Sequence, residues 1–293
     1  MTRFLSPLRY PGGKARLAPY ISTLLSWQDP APEIYAEPFA GGAGVALRLL
    51  ADDEVERIHI NDLNPGIAAF WRALFETNSS FVSMIDGADV SLESWEYWHS
   101  VYLNPDGHDD LTLGFATFFL NRTNRSGILT ARPIGGMDQK GPWKIDARFN
   151  KADLTKRVDY LGAFAHRTLV TELDARVMVQ SIDQDLAAQY FLYVDPPYLI
   201  QGNELYMSGL TIEDHVEVAS TLSASPVRWL LTYDADARVT AELYEKQRCL
   251  EFDIHHFAHT QHLGQEYAVF GSTVIVPEDT VVVSGLGRWI RRA

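Results

Sequence analysis

The sequence has little cysteine, no long apolar run and no excess of positive charge. Cys249 is the only cysteine in 293 residues, which excludes an intrachain disulfide and a cysteine-based zinc site and favours a reducing compartment. No segment approaches the roughly 20 apolar residues that span a bilayer, and the first twenty residues lack the apolar core of a signal peptide. We therefore expect a cytoplasmic protein with no membrane partner.

The net charge of −13 argues against a nucleic-acid partner, because phosphate neutralisation requires Lys and Arg. The charge is unevenly spread, however. Residues 121–157, the basic loop, contain nine basic and three acidic residues, a net +6 that leaves −19 for the rest. The loop also holds residue types that stack on bases or read base edges, namely Asn121, Asn124, Gln139, Trp143 and Phe149. From charge and composition alone, a nucleic-acid surface and a solvated loop remain equally open.

The apolar patterns indicate an α/β protein. Residues 33–37 and 55–60 read as short strands around a helix that begins near Ala43, which together make one βαβ unit. From residue 64 to residue 167 helical patterns dominate, with Asn64 and Ser91 as predicted N-caps. Glycine and proline interrupt this pattern, so a loop or long hairpin is expected at residues 127–149.

Strands are expected again after this helical region. Continuous apolar runs predict buried parallel strands at residues 176–180, 190–194 and 227–233. A closing antiparallel pair is predicted at residues 248–257 and 266–276. The architecture is therefore an open α/β sheet with a helical insertion of about one hundred residues.

A glycine-rich turn at residues 39–44 lies between the first strand and the following helix. Such a turn lets a ligand approach the backbone at the sheet edge where open α/β sheets bind ligands. It fits neither a phosphate-binding P-loop nor G-x-G-x-x-G, and it could also serve only helix packing. Asp62 follows the second strand, where a carboxylate can accept hydrogen bonds from ribose hydroxyls. Asp62 or Asn64 could instead merely cap the next helix.

The segment "FLYVDPPYLI" carries the most specific chemistry. Asp195, Pro196, Pro197 and Tyr198 end a buried apolar strand, and the prolines lack N–H donors but leave carbonyls free to accept. Two acceptors on the N–H bonds of an exocyclic amine would direct its lone pair at a methyl donor. The carboxylate of Asp195 and the carbonyl of Pro196 are the predicted acceptors, with Tyr198 stacking on the base.

These motifs, in this order, resemble the Dam-type, or D12 class, DNA adenine-N6 methyltransferases over nearly the whole chain. The matching segments are "LRYPGGKARLAPYI", "EPFAGGAGVAL", "INDLN", "FFLNRTNRSGI" and "DPPY". The resemblance implies a Rossmann-like S-adenosylmethionine-dependent methyltransferase sheet formed by residues 1–63 and 168–293. It also implies an inserted, mainly helical DNA-recognition domain at residues 64–167, which carries the basic loop.

The resemblance further implies methyl transfer from S-adenosylmethionine to the N6 amine of a flipped adenine at a specific site in double-stranded DNA. The implied catalytic residues are Asp195, Pro196, Pro197 and Tyr198, with no metal. The cofactor would contact Tyr10, Lys14, Phe39, Ala40, Gly41, Gly42, Gly44, Asp62 and Asp183. Lys14 is expected to pair with the methionine carboxylate. The expected DNA contacts are Asn121, Arg122, Asn124, Arg125, Arg132, Lys140, Lys144 and Arg148.

Several alternatives remain open from the sequence. A cytosine N4 amine, an RNA adenine or a protein glutamine amide would present a similar planar nitrogen, and a non-catalytic DNA-binding or cofactor-sensing protein is a further possibility. The histidines at 255, 256, 259 and 262 are too loosely spaced to favour a metal site over a structural or surface role. A monomer is expected, and a cognate restriction endonuclease is a candidate partner.

Overall fold

The computed structural model describes residues 5–10, 14–199, 209–256, 262–277, 282–283, 285 and 287–292. The chain divides into two compact units. The helical unit comprises Met1–Gly13 and Asp62–Glu172, and the sheet unit comprises Lys14–Asn61 and Leu173–Ala293.

Within the described residues the chain forms eight strands and nine α-helices. The strands are β1 (Ile34–Glu37), β2 (Arg57–Asn61), β3 (Thr168–Thr171), β4 (Tyr190–Val194), β5 (Arg228–Asp234), β6 (Arg248–His256), β7 (His262–Phe270) and β8 (Arg288–Arg291). The helices are α1 (Ala18–Ser26), α2 (Gly44–Ala51), α3 (Pro65–Glu76), α4 (Asn78–Gly87), α5 (Leu92–Leu103), α6 (Asp110–Thr123), α7 (Lys151–Gly162), α8 (Ala175–Gln180) and α9 (Ile212–Ala224). In the part of the chain that is described, none of the helices has the length and hydropathy needed to cross a bilayer.

The sheet unit is built on seven strands in the order β2-β1-β4-β5-β7-β6-β8. Strands β2, β1, β4 and β5 run parallel, whereas β7, β6 and β8 add antiparallel pairings. The parallel strands are almost entirely buried, as their continuous apolar sequences predict. The α/β class, the first βαβ unit and the closing antiparallel pair are therefore confirmed, except that the second strand of this pair is His262–Phe270 rather than residues 266–276.

One predicted strand is wrong, because residues 176–180 belong to helix α8. Asp174 caps this helix, and its carboxylate accepts a hydrogen bond from the Arg176 N–H at 2.8 Å. Met178 and Val179 are buried while Val177 is 49% exposed, which is the burial of one helix face rather than the alternation of a strand. The apolar side of α8 packs in the core cluster that includes Leu192.

The helical unit contains α3 to α7 and strand β3. The sequence patterns predict the helices but not β3. Asn64 and Ser91 cap α3 and α5 as predicted, each accepting hydrogen bonds from backbone N–H groups of the first turn. Helices α3 and α6 approach closely at Gly114, where a Cβ atom would lie only 2.6 Å from the Ala69 carbonyl oxygen. Stacked and edge-to-face aromatic rings around Phe118 fill the core.

The N-terminal segment differs from the predicted domain division. Residues 1–13, expected in the sheet domain, cluster with the helical unit. The side chain of Asn121 accepts a hydrogen bond from the Arg9 N–H at 2.7 Å and donates one to the Arg9 carbonyl at 2.9 Å. The Arg122 guanidinium also donates to the Pro7 carbonyl. These hydrogen bonds attach the segment to α6. They join residues 112 or more positions apart, so no local sequence pattern reveals them.

Candidate active site

The glycine turn and the Asp195–Tyr198 segment lie at the same edge of the sheet. Strands β1 and β4 are parallel neighbours, with Ala36 opposite Leu192. They end at Glu37 and Val194, so the residues that follow each strand emerge side by side. The carboxyl edge of parallel strands is where open α/β sheets bind ligands.

The turn at residues 39–44 has the backbone geometry that its glycines allow. Gly41 has a φ of 45° and Ala43 a φ of 47°, both left-handed. The Ala40 N–H donates to the Asn61 carbonyl at 2.9 Å, which fixes the turn against the end of β2. Phe39 is half-buried, and Ala40, Gly41 and Gly42 are buried. The turn thus exposes little side chain and leads directly into α2.

Glu37 explains why an acid precedes this turn. Its side chain is buried, and its Oε1 atom accepts a hydrogen bond from the Ala46 N–H at 2.9 Å. Burial raises the pKa of Glu37 to about 8. Glu37 therefore connects the end of β1 to the first turn of α2.

The same turn provides a test of fit for a nucleoside-type cofactor. Ala43, the N-cap of α2, has only a methyl side chain and so cannot accept a hydrogen bond from the N–H groups of the first turn. At Gly44 an added Cβ would lie 3.1 Å from the Ala15 Cβ, so the backbone passes close to its neighbour. The half-buried Phe39 and Gly44 are the parts of the turn open to a ligand, and a turn with few side chains lets a ligand approach the backbone there, which fits an S-adenosylmethionine-type group.

Asp195 is oriented by a short chain of hydroxyl groups. The Thr232 hydroxyl donates to Asp195 Oδ1 at 2.8 Å, and the Tyr193 hydroxyl lies 2.8 Å from the Thr232 oxygen. Burial, reinforced by the Glu266 charge and opposed by Lys14, raises the pKa of Asp195 to about 6. The carboxyl is therefore ionised at neutral pH and able to accept hydrogen bonds. Its side chain is 25% exposed, which leaves it accessible to a substrate.

Lys14 and Glu266 form a buried ion pair beside this carboxylate. Lys14 Nζ lies 2.7 Å from Glu266 Oε1 and 3.6 Å from Asp195 Oδ1. It also donates a hydrogen bond to the Tyr198 hydroxyl at 2.5 Å, and that hydroxyl donates to Glu266 at 2.8 Å. Burial alone would lower the pKa of Lys14, but the two carboxylates raise it above its ordinary value. Residues from both ends of the chain thus hold the Tyr198 side chain.

Sequence reasoning missed Glu266 and Thr232. Glu266 is fully buried in the middle of β7, between Gln265 and Tyr267 and directly before the run of residues 267–270. A carboxylate directly before an apolar run was the available signal, since charged groups are almost never fully buried without a partner. The predicted ion pair of Lys14 with a cofactor carboxylate stays a prediction, because in this structure Glu266 and Asp195 already compensate the charge.

The other predicted cofactor residues occupy turns and caps. Asp62 directly follows β2, and its Oδ1 atom accepts the Asn64 N–H at 2.9 Å. Asp183 is exposed and accepts the Asp185 N–H at 2.9 Å, at the start of a 3₁₀ segment. Tyr10 is half-buried in the helical unit, and Pro196 and Pro197 are buried and half-buried in the sheet unit. The cofactor contacts of these residues stay predictions.

Two of the predicted DNA contacts are corrected by their burial. Besides its bonds to Arg9, the Asn121 amide donates to the Gly127 carbonyl at 2.9 Å. Asn124 accepts from the Trp95 indole N–H at 2.6 Å and donates to two backbone carbonyls of residues 128 and 129. Both asparagines are at most 1% exposed. They hold the start of the basic loop and do not present their amides to a ligand.

The predicted cationic residues divide into one half-buried and five exposed side chains. Arg122 donates to the Arg148 carbonyl at 2.8 Å, and burial together with Arg9 and Arg157 lowers the pKa of Arg122 to about 10. The exposed side chains are Arg125, Arg132, Lys140, Lys144 and Arg148. These five are available to a polyanion.

The described histidines of this group lie at the ends of two neighbouring strands. His255 and His256 end β6 and His262 begins β7, whereas residue 259 lies outside the described residues. Among the residues with described positions, no cluster of three or more His, Cys, Asp or Glu side chains could hold a metal ion.

Comparison with known proteins decides the family. The model of the D12 class N6 adenine-specific DNA methyltransferases matches residues 10–263. The chain belongs to this family. It is a methyltransferase with a Rossmann-like fold, and its family acts on adenine in DNA.

The chain was also compared with curated proteins and with solved structures. No curated protein matches the D12 class chain. Among solved structures, it is similar to the rRNA methyltransferase aviRa from Streptomyces viridochromogenes at 13% identity and a TM-score of 0.41, over 90% of this chain and 87% of that one. This distant likeness carries no argument about the substrate.

Proposed function

We propose that the enzyme transfers a methyl group from S-adenosylmethionine to the N6 amine of a flipped adenine at a specific site in double-stranded DNA. The observation that carries this proposal is the position of Asp195. Its carboxylate follows β4 beside the glycine turn, is fixed by Thr232 and is ionised at neutral pH. This is the group that a weakly nucleophilic amine requires.

The chemistry assigns each residue of the tetrad a role. The adenine amine is a poor nucleophile because its lone pair is delocalised into the ring. Asp195 and the carbonyl of Pro196 accept hydrogen bonds from its two N–H groups and direct the lone pair at the methyl donor. Tyr198 stacks on the ring. When bound, S-adenosylmethionine supplies an electrophilic methyl group on a positively charged sulfur. The methylated nitrogen then loses a proton, which Asp195 accepts and passes to water.

The glycine turn is the proposed cofactor surface. Its left-handed backbone, which carries few side chains, accommodates the ligand at its half-buried ends Phe39 and Gly44, and Asp62 holds the ribose hydroxyls. The remaining proposed contacts are Tyr10, Lys14, Phe39, Ala40, Gly41, Gly42, Gly44 and Asp183. Lys14 reaches a cofactor carboxylate only if that group shares the ammonium with Glu266.

The exposed cations of the basic loop are the proposed DNA contacts. Arg125, Arg132, Lys140, Lys144 and Arg148 neutralise phosphates, and Arg122 supports the loop through the Arg148 carbonyl. Unstacking the target adenine costs a few kcal/mol, which these sequence-independent contacts help to offset. A cognate restriction endonuclease, a monomeric state and a cytoplasmic location remain expectations.

The decisive variant for the catalytic assignment is Asp195→Ala. We expect methyl transfer to a DNA substrate to be lost while S-adenosylmethionine binding, measured by calorimetry, changes little, because Asp195 acts on the amine. The matched control is Asp253→Ala, which removes an exposed carboxylate from β6 of the same unit. Undiminished turnover in Asp195→Ala would refute the assigned roles.

The DNA contacts are tested through salt dependence. Replacing Arg132 and Lys140 together with alanine should weaken DNA binding and reduce its log–log salt slope by about 0.9 for each lost phosphate contact. Arg48→Ala, on an exposed face of α2, is the control. An unchanged slope in the double variant would place the DNA elsewhere on the protein.

A further inference from the structure

Trp143 is the most exposed large apolar side chain in the described part of the chain. Its side chain is 70% exposed, against 58% for Tyr97 and 54% for Trp27. Tryptophan is usually well buried, because its ring has a large apolar area. Exposure alone assigns no ligand, because Tyr97 and Trp27 are exposed too, so the surroundings of Trp143 decide its role.

The loop around Trp143 is internally braced by Gln139. The Gln139 amide donates to the Ile134 carbonyl at 2.8 Å and to the Gly136 carbonyl at 2.7 Å. Its Oε1 atom accepts from the Ile145 N–H at 2.9 Å. Gln139 therefore joins the two limbs of this loop, which are residues 134–136 before Trp143 and Ile145 after it.

The backbone of this loop also depends on an unusual conformation. Gly135 has a φ of 86°, and a Cβ atom there would lie 2.8 Å from the Trp143 carbonyl oxygen. Gln139 itself has a φ of 48°, which is uncommon for a residue with a side chain. The two limbs are close together, so much of the ordering cost of presenting Trp143 is met on folding rather than on binding.

Two lysines flank the indole along the sequence, within the basic loop of net charge +6, which also places Asp138 and Asp146 beyond them. Lys140 and Lys144 are exposed on either side of it, and the Lys144 ammonium donates to the Gln139 carbonyl. Aromatic rings interleaved with cations are the arrangement by which proteins stack on bases while holding the phosphate backbone.

The structure narrows the set of base-stacking and base-reading residues in the basic loop to one. Asn121, Asn124 and Phe149 are buried, and the Gln139 amide is occupied within the loop. Only Trp143, of the five such side chains predicted from the sequence, is exposed.

We propose that Trp143 stacks on an unstacked base of the DNA substrate. The inference rests on the proposed function, since extrusion of the target adenine leaves neighbouring bases without their stacking partner. The occupant is a nucleobase because a flat base ring can stack on the indole. The phosphates of the same DNA strand can pair with the flanking lysines. Trp143 is thus a DNA-positioning residue that acts without charge.

The test compares Trp143→Ala and Trp143→Phe with Trp27→Ala, which removes an exposed tryptophan of the sheet unit. The probe is a labelled duplex carrying the motif that the wild-type enzyme methylates, titrated at several salt concentrations. Trp143→Ala should bind about tenfold or more weakly, the order of one lost base-stacking contact. The salt slope should not change, because no charge is removed. Trp143→Phe should retain most of the affinity, and Trp27→Ala all of it.

Each other outcome has a defined meaning. Equal affinity of Trp143→Ala and Trp27→Ala would overturn the stacking contact, and so would a reduced salt slope in Trp143→Ala, since the indole would then act only by placing the lysines. A wild-type enzyme that methylates no DNA would refute the proposed function instead. Unchanged thermal unfolding of Trp143→Ala is expected and confirms that the loop still folds.

Discussion

Replacing Glu266 with glutamine should alter the pH dependence of catalysis without removing any group that touches the substrate. Glu266 raises the pKa of Asp195, together with burial, so losing its charge must lower that pKa. When protonated, Asp195 is a weaker acceptor and cannot take the proton that the methylated amine loses. The rate of methyl transfer should therefore rise with pH through about 6 in the wild type and at a lower pH in the variant.

The distances set the size of the effect. Lys14 Nζ is 2.7 Å from Glu266 and 3.6 Å from Asp195. At an effective dielectric constant of about 20, these separations correspond to attractions of about 6 and about 5 kcal/mol before desolvation. The ammonium is thus shared almost equally, and in Glu266→Gln it serves Asp195 alone. We expect the acid limb to move down by about one pH unit, within the range that a nearby charge produces.

The stability cost should stay moderate. Leaving a buried charge with no partner costs about 3–5 kcal/mol. In Glu266→Gln, however, Lys14 keeps Asp195 as a counter-charge and the amide oxygen as an acceptor, so we expect a loss below about 3 kcal/mol.

The assay is single-turnover methyl transfer from pH 5 to 8, with thermal unfolding measured in parallel. Glu217→Gln is the control, because this carboxylate is 64% exposed and paired with Arg176 at the surface. Glu217→Gln should leave the acid limb unchanged, and it should change the free energy of unfolding by no more than about 1 kcal/mol. A folded Glu266→Gln enzyme with an unchanged acid limb would refute the reasoning.

Three further changes test the fold. Asn124→Ala should lower the free energy of unfolding by about 2–4 kcal/mol in denaturant titrations, since the Trp95 N–H and two carbonyls lose their partner; a loss under 1 kcal/mol would contradict this. Gly114→Ala should cost about 1–3 kcal/mol, because the new methyl group meets the Ala69 carbonyl, and unchanged stability would mean that α3 and α6 separate freely. Burial lowers the pKa of His59 from 6.5 to about 4, so the unfolded chain takes up a proton first as pH falls. The contribution of His59 to stability should therefore fall by up to about 3 kcal/mol between pH 6.5 and 4. It is measured as the difference between the wild type and His59→Leu, because the raised pKa values of Glu37 and Asp195 change the stability of both proteins in the opposite direction; a difference that does not vary with pH would contradict this.

Much of the sheet unit follows from local sequence patterns. Continuous apolar runs identify β1, β4 and β5, and the left-handed turn at Gly41 needs residues that tolerate positive φ. The tetrad Asp195–Tyr198 follows β4 as predicted, because an acid and two prolines mark a strand end, while its catalytic role stays a prediction. These features are short-range, which is why the sequence reveals them.

The features that the sequence did not reveal depend on distant partners. A five-residue apolar run cannot distinguish a strand from the buried side of α8. Asn124 looks like a DNA-reading amide until its bond to the Trp95 indole is known. The pairing of Lys14 with Glu266 joins residues 252 positions apart, and no local pattern encodes it.

The central claim is that the Asp195 site methylates adenine in DNA, and base-resolution mapping of modified DNA tests it most directly. The enzyme and its Asp195→Ala variant would be expressed separately in a host that lacks adenine methylation. We predict N6-methyladenine at one short recurring sequence with the wild-type enzyme and none with the variant. A wild-type enzyme that binds S-adenosylmethionine but modifies no DNA base, or a variant that still methylates, would contradict the account.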